Sequence, residues 1–125
     1  MSKANSSPND GRKAIRYSAS WRVAVAIEGQ PLREGRTKDI SSDGLAILYP
    51  QNLRSGVTIT MHILIPPLTT DEQRIIIVRG LTCNTVHDSN HHCFRVGVSF
   101  EHFETEADRE FLRKRLENSH KAVMF

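Results

Sequence analysis

Cysteine, aromatic side chains and long apolar runs are all scarce in this sequence, and each scarcity excludes something. Two cysteines, Cys83 and Cys93, in 125 residues argue against a small secreted domain stapled by disulfides, which carries several pairs. Free thiols in a reducing compartment are expected. No stretch approaches the ~18–20 apolar residues that span a bilayer, and the first thirty residues lack the apolar core of a secretory signal. A cytoplasmic protein with no membrane insertion is expected. Five Phe, two Tyr and one Trp are few once a core has been filled. They leave little for the aromatic platform on which a sheet stacks single-stranded bases, so no nucleic acid is expected as a partner. Nor is there a GxSxG, HExxH, P-loop or paired-cysteine motif, and the acidic residues are scattered. The chain reads as a binder, not an enzyme.

What is present is enough for one domain and one core. Apolar residues make up 38% and charged residues 25%, so the chain should fold. The formal charge of +3 is unevenly spread: residues 1–38 hold eight Lys/Arg against three Asp/Glu, and residues 39–125 hold nine against eleven. A basic N-terminal third suits an anionic partner, or serves only as a solubilising tail.

Residues 1–11 are Ser, Asn, Pro and Gly with almost nothing apolar and cannot offset the entropy of being ordered. They read as a flexible arm. From Trp21 the pattern alternates, with Trp21, Val23, Val25 and Ile27 on one face, which is the period of a half-buried strand. Further strands are expected over 33–40, 45–49, 57–65, 75–86 and 94–100, punctuated by Gly29-Gln30-Pro31, Asp43-Gly44, Pro50 and Pro66-Pro67. Gly80 marks a bulge or bend in the fifth strand. The period then becomes helical: Thr105 and Asp108 form a capping pair, and Ala107, Phe111, Leu112 and Leu116 share a face. Six strands before one helix predict an all-β fold, a six-stranded antiparallel barrel carrying a C-terminal helix. A core domain over 12–118 would sit between the arm and a C-terminal tail, 119–125, whose apolar end Val123-Met124-Phe125 either docks or frays.

Two short groups flank the first hairpin: Arg12-Lys-Ala-Ile-Arg16 and Asp39-Ile-Ser41-Ser-Asp-Gly44. RxxxR followed by [D/N]xSxxG, in this order and spacing, resembles the signature of the PilZ domain family. The likeness extends over residues 12 to about 117, through Gly56 and the segment RVGVSF to the helix. RxxxR alone is unspecific, because Arg109 and Arg113 match it in the helix. There it reads as a solvated face, and substitution is expected to leave binding unchanged. The resemblance implies a bacterial second-messenger receptor for cyclic di-GMP, with Arg12 and Arg16 on phosphate and guanine and with Asp39, Ser41 and Gly44 completing the site. Gly11 precedes the first arginine, a position that in the family influences how many ligand molecules bind.

The residue types suit that ligand on their own chemistry. An arginine fork grips phosphate oxygens or the O6/N7 edge of guanine. An ionised Asp39 accepts from guanine's N–H groups. Ser41 can donate to the ligand or bond its own turn, and Gly44 admits a close backbone approach or a positive φ. No further cofactor is expected. The output would be the arm folding onto the barrel and an unidentified effector protein reading the new surface. The competing reading is a PilZ-like protein-interaction module that binds no nucleotide. His87, His91 and His92 crowd one hairpin with the two cysteines. A turn near residue 90 sets Cys83 opposite about residue 97, away from Cys93, so they read as loop and strand residues and not as a zinc site.

Overall fold

In a computed structural model of the chain, describing residues 14–68 and 73–123, the alternation that opens at Trp21 is realised as sheet. The elements are β1 (Tyr17–Ser18), β2 (Arg22–Ala26), β3 (Arg33–Ile40), β4 (Gly44–Tyr49), β5 (Thr58–Ile65), β6 (Arg74–Asp88), β7 (Cys93–Phe103) and α1 (Glu106–Val123). The arm 1–11, Arg12, residues 69–72 and Met124-Phe125 lie outside the described residues.

Every pairing is antiparallel, and the order β1-β3-β2-β5-β6-β7-β4 is closed by β3 against β4. β2 to β7 therefore form the six-stranded barrel expected from the sequence. The inward residues of the alternating strands, among them Val23, Val25, Ile47, Met61, Ile63, Ile76, Val78 and Val96, are fully buried. Each such side chain contributes about 1.5–3 kcal/mol over remaining in water, which is what holds these strands in register.

β1 was not expected, because two residues are too few to show a period. It continues the path of β2 along the same edge of β3, with Tyr17 opposite Ile40 and Ser18 opposite Asp39. The break between β1 and β2 is closed by the buried Thr37. Its hydroxyl accepts from the Trp21 N–H at 2.8 Å and donates to the Ala19 carbonyl, and its own N–H donates to the Trp21 carbonyl at 2.8 Å.

The helix is amphipathic as expected, with Leu112 and Leu116 in the core, but Ala107 is exposed. Asp108 takes the buried position instead. Thr105 Oγ1 accepts from the Asp108 N–H at 3.1 Å, which is half of a capping pair. The Asp108 carboxylate does not complete it; it reaches across to β6, accepting from the Ile77 N–H at 3.2 Å and Arg74 Nη2 at 3.0 Å. A buried acid there satisfies a strand N–H left beyond the ladder. Further along α1, Arg115 Nε donates to the Pro66 carbonyl at 3.0 Å while its guanidinium lies 5.2 Å from the centre of the Trp21 ring. Among the described residues no helix is long and apolar enough to cross a membrane.

Candidate functional site

Register brings the two sequence motifs together. Because β1 pairs Tyr17 with Ile40, Arg16 is delivered beside the Asp39–Gly44 segment. Its Nε donates to Asp39 Oδ1 at 3.0 Å and its Nη2 to the same oxygen at 2.5 Å. The arginine side chain is 52% exposed and the aspartate 31%. An ion pair this open to solvent is worth only about 0–1 kcal/mol, so it orients the arginine and can be exchanged for other partners at little cost.

Ser41 and Gly44 do local work. Ser41 is buried; its Oγ accepts from the N–H groups of Asp43 and Gly44 at 3.1 and 3.2 Å and donates to the Gly44 carbonyl at 3.2 Å. The Ser41 N–H closes the turn on the same carbonyl at 2.8 Å. The hydroxyl thus takes the backbone-bonding alternative left open by the sequence. Gly44 is needed for proximity and not for a positive φ, which among the described glycines belongs to Gly29 and Gly56. A Cβ on Gly44 would strike the Val98 carbonyl of β7, a backbone atom that cannot step aside.

Beside this turn runs a surface groove of about 710 Å³, within the ~300–1,000 Å³ typical of small-molecule sites. Arg16, Ser41 and Gly44 line it, and Asp39 joins it through Arg16. Arg12 lies outside the described residues. The far wall comes from residues outside the two motifs: Asn84, Ser99, Phe100, Glu101, Phe103 and Arg109, with Cys83. Two of these owe their place to bulges. β6 and β7 slip register between Arg79 and Gly80, where Gly80 faces Phe100 and Arg79 faces His102, leaving Glu101 extra. They slip again between Thr82 and Asn84, leaving Cys83 extra. An unpaired bulge residue is re-aimed out of the alternation, and both end in the groove. The Gly80 expectation is met, and its consequence is Glu101.

The two helical arginines part company here. Arg113 is held by Glu110 and Glu117, with contacts of 2.6–3.3 Å, and its hydrogen bond holds the Glu110 carboxyl below its ordinary range. Arg109 instead lies over the Phe103 ring at 4.8 Å and lines the groove. Both lie on an exposed face as expected, and Arg109 in addition reaches the groove.

In the hairpin, Asn84 faces Gly97 and Asp88 faces Cys93, so Cys83 falls near residue 97 as reasoned. Both cysteines are free. His91 Nδ1 contacts Asp88 at 3.1 Å, and among the described residues no cluster of three or more potential metal ligands occurs.

Comparison with known proteins agrees with this geometry. The chain matches 88% of its length to the inhibitor of motility MotI/DgrA of Bacillus subtilis (15% identity, TM-score 0.72, 52% of that chain). It also matches the c-di-GMP-bound PilZ domain of YcgR from Escherichia coli (14% identity, TM-score 0.59, 89% of this chain and 93% of that one). A third match is the MrkH–c-di-GMP complex of K. pneumonia (13% identity, TM-score 0.67, 90% of this chain and 54% of that one). The chain therefore spans about half the length of MotI and MrkH. A search of curated proteins finds no match. At these identities the structures establish the fold; the family rests on the sequence, where the PilZ domain model matches residues 10–117. With both motifs inside that span and its arginine drawn by register onto its DxSxxG turn, this chain belongs to the PilZ domain family.

Proposed function

We propose that the protein is a cytoplasmic receptor for cyclic di-GMP that binds without catalysis and passes the signal to a separate effector protein. The observation that carries this reading is the register that holds Arg16 against Asp39 at the lip of the groove. A cyclic dinucleotide brings two phosphate charges and two guanines. Arg12 and Arg16 would serve phosphate or the guanine O6/N7 edge. Asp39, released from Arg16, would accept from guanine N–H groups. Gly44 keeps the wall flat where the ring must approach, and Ser41 holds the turn that carries both. Arg12 is four residues before Arg16, so its Cα lies at most about 14 Å from that of Arg16.

Fixing about five residues of the arm costs roughly 5–10 kcal/mol of backbone entropy, whereas one bond to a charged group returns only ~1.5–3 kcal/mol. Several contacts must form together, so ligand would order the arm and thereby change the surface offered to the effector. Calorimetric titration tests the receptor reading: cyclic di-GMP should bind, and cyclic di-AMP, which lacks the donor pair facing Asp39, should not compete. If cyclic di-GMP does not bind, the nucleotide-free interaction module takes its place. Unchanged hydrogen exchange over residues 5–17 at saturating ligand would end the arm-ordering step alone.

A further inference from the structure

Arg109 is the one groove cation that neither motif supplies among the described residues. Its placement is built from three directions. Asp108, buried and bonded to Ile77 and Arg74 of β6, fixes the rotation of α1 at its start, so the next residue leaves the helix at a set angle. Phe103, itself buried, offers its ring face 4.8 Å below the guanidinium and is braced edge-on by Phe100 at 5.4 Å. The nearest acid, Glu106, meets Arg109 at a single 3.5 Å contact, with the side chains 77% and 53% exposed, a pair that solvent renders weak. An arginine seated over an aromatic ring has lost part of its conformational freedom while keeping N–H groups for a planar or bidentate acceptor.

We propose that Arg109 is a further ligand-binding residue of the groove, contacting the phosphate or guanine edge of a cyclic dinucleotide, so that α1 senses occupancy directly. This rests on the receptor reading above. It gives the ligand a cation from the helix in addition to those preceding β1, and a contact on α1 that does not depend on the N-terminal arm.

The experiment is a cyclic di-GMP titration of the full chain and its Arg109→Ala, Arg109→Gln and Arg113→Ala variants, with unfolding midpoints measured without ligand. Arg109→Ala is expected to weaken binding at least tenfold, whereas Arg113→Ala leaves it unchanged. Arg109→Gln retains an aliphatic stem over Phe103 and removes the charge; it is expected to lose affinity with an unaltered midpoint, which separates ligand contact from support of the ring. Wild-type affinity in Arg109→Gln, or an equal loss in Arg113→Ala, overturns the proposal. Failure of the unmutated chain to bind overturns the receptor reading itself and takes this inference with it.

Discussion

Ser41→Ala separates two roles that the DxSxxG motif alone leaves mixed. The hydroxyl is 1% exposed as a residue and serves three backbone groups of its own turn. Its removal leaves the buried Gly44 N–H without that acceptor, and alanine supplies no substitute. An unmade bond at a buried donor costs about 1–3 kcal/mol. The contacts are long, at 3.1–3.2 Å, and Asp43 is exposed enough to recruit water, so about 2 kcal/mol is the reasoned figure, centred in that range. For a domain of this size, roughly 3–5 °C of melting temperature accompanies each kcal/mol, and the midpoint should fall by about 6–10 °C.

Arg16→Ala should behave in the opposite way. It breaks an ion pair worth about 0–1 kcal/mol and should move the midpoint by no more than a few degrees, yet it should weaken cyclic di-GMP at least tenfold, from the ~1.5–3 kcal/mol of a charged hydrogen bond. Differential scanning fluorimetry and calorimetry on the two variants, at a temperature well below both midpoints, read both quantities. If Ser41→Ala melts within a degree of the parent while losing tenfold in affinity, the hydroxyl acts on ligand and the turn-closing account is wrong.

Gly44→Ala forces a methyl group against the Val98 carbonyl, and a strand shift to relieve it should cost about 1–3 kcal/mol or more; chemical denaturation is the measurement, and an undiminished midpoint would show that β4 and β7 can part there freely. Asp108→Ala leaves the Ile77 N–H and Arg74 without their shared acceptor, so a loss of about 1–3 kcal/mol is expected, with early amide exchange at the start of α1 as its local sign. The Asp88 carboxyl is held below its ordinary value of 3.8, chiefly by the hydrogen bond from His91. A depressed folded-state value means that this hairpin contact contributes fully above pH 3.8 and is lost as pH falls through the lower folded value; a carboxyl NMR titration should place Asp88 below 3.8, and His91→Ala, which removes the ring but keeps the backbone N–H bond, should raise it toward that value.

The barrel was legible because its signal is local. Trp21, Val23 and Val25 alternate, prolines end the strands, and all of the expected strands appear within a few residues of their places. The meeting of the motifs was legible only as a resemblance: its physical cause, the pairing of Tyr17 with Ile40, is a long-range register held by Thr37, which no window of sequence displays. Ala107 and Asp108 were exchanged for a related reason. Hydrophobicity alone favours alanine on the buried face, but β6 presents an N–H that must be met, and a carboxylate can meet it.

Arg109 and Arg113 differ in nothing a helical wheel can see. Both are half-exposed, and their neighbours on other elements decide between them: Phe103 of β7 lies under one, while acids of the same helix hold the other.

The same reasoning accounts for where the groove is. The described ladders slip at Thr37/Asp39, Arg79/Gly80 and Thr82/Asn84. A regular barrel wall sends alternate side chains to the core and leaves a smooth exterior; each slip adds a residue that the alternation cannot place inside. Glu101 and Cys83, the residues added in β7 and β6, line the groove, and the slip in β3 falls at Lys38, beside Asp39, the partner of Arg16. Removing one bulge tests this without touching any residue assigned to ligand. Deleting Glu101 would leave Phe100 opposite Gly80 and His102 opposite Arg79 with no residue between them, straightening this edge of the groove and removing the added side chain from its wall. The barrel would keep its closed hydrogen bonding, so a folded protein with a cooperative melt is expected, with affinity for cyclic di-GMP reduced by more than tenfold. A folded deletion variant that bound as tightly as the parent would mean that the irregularity is incidental to the site.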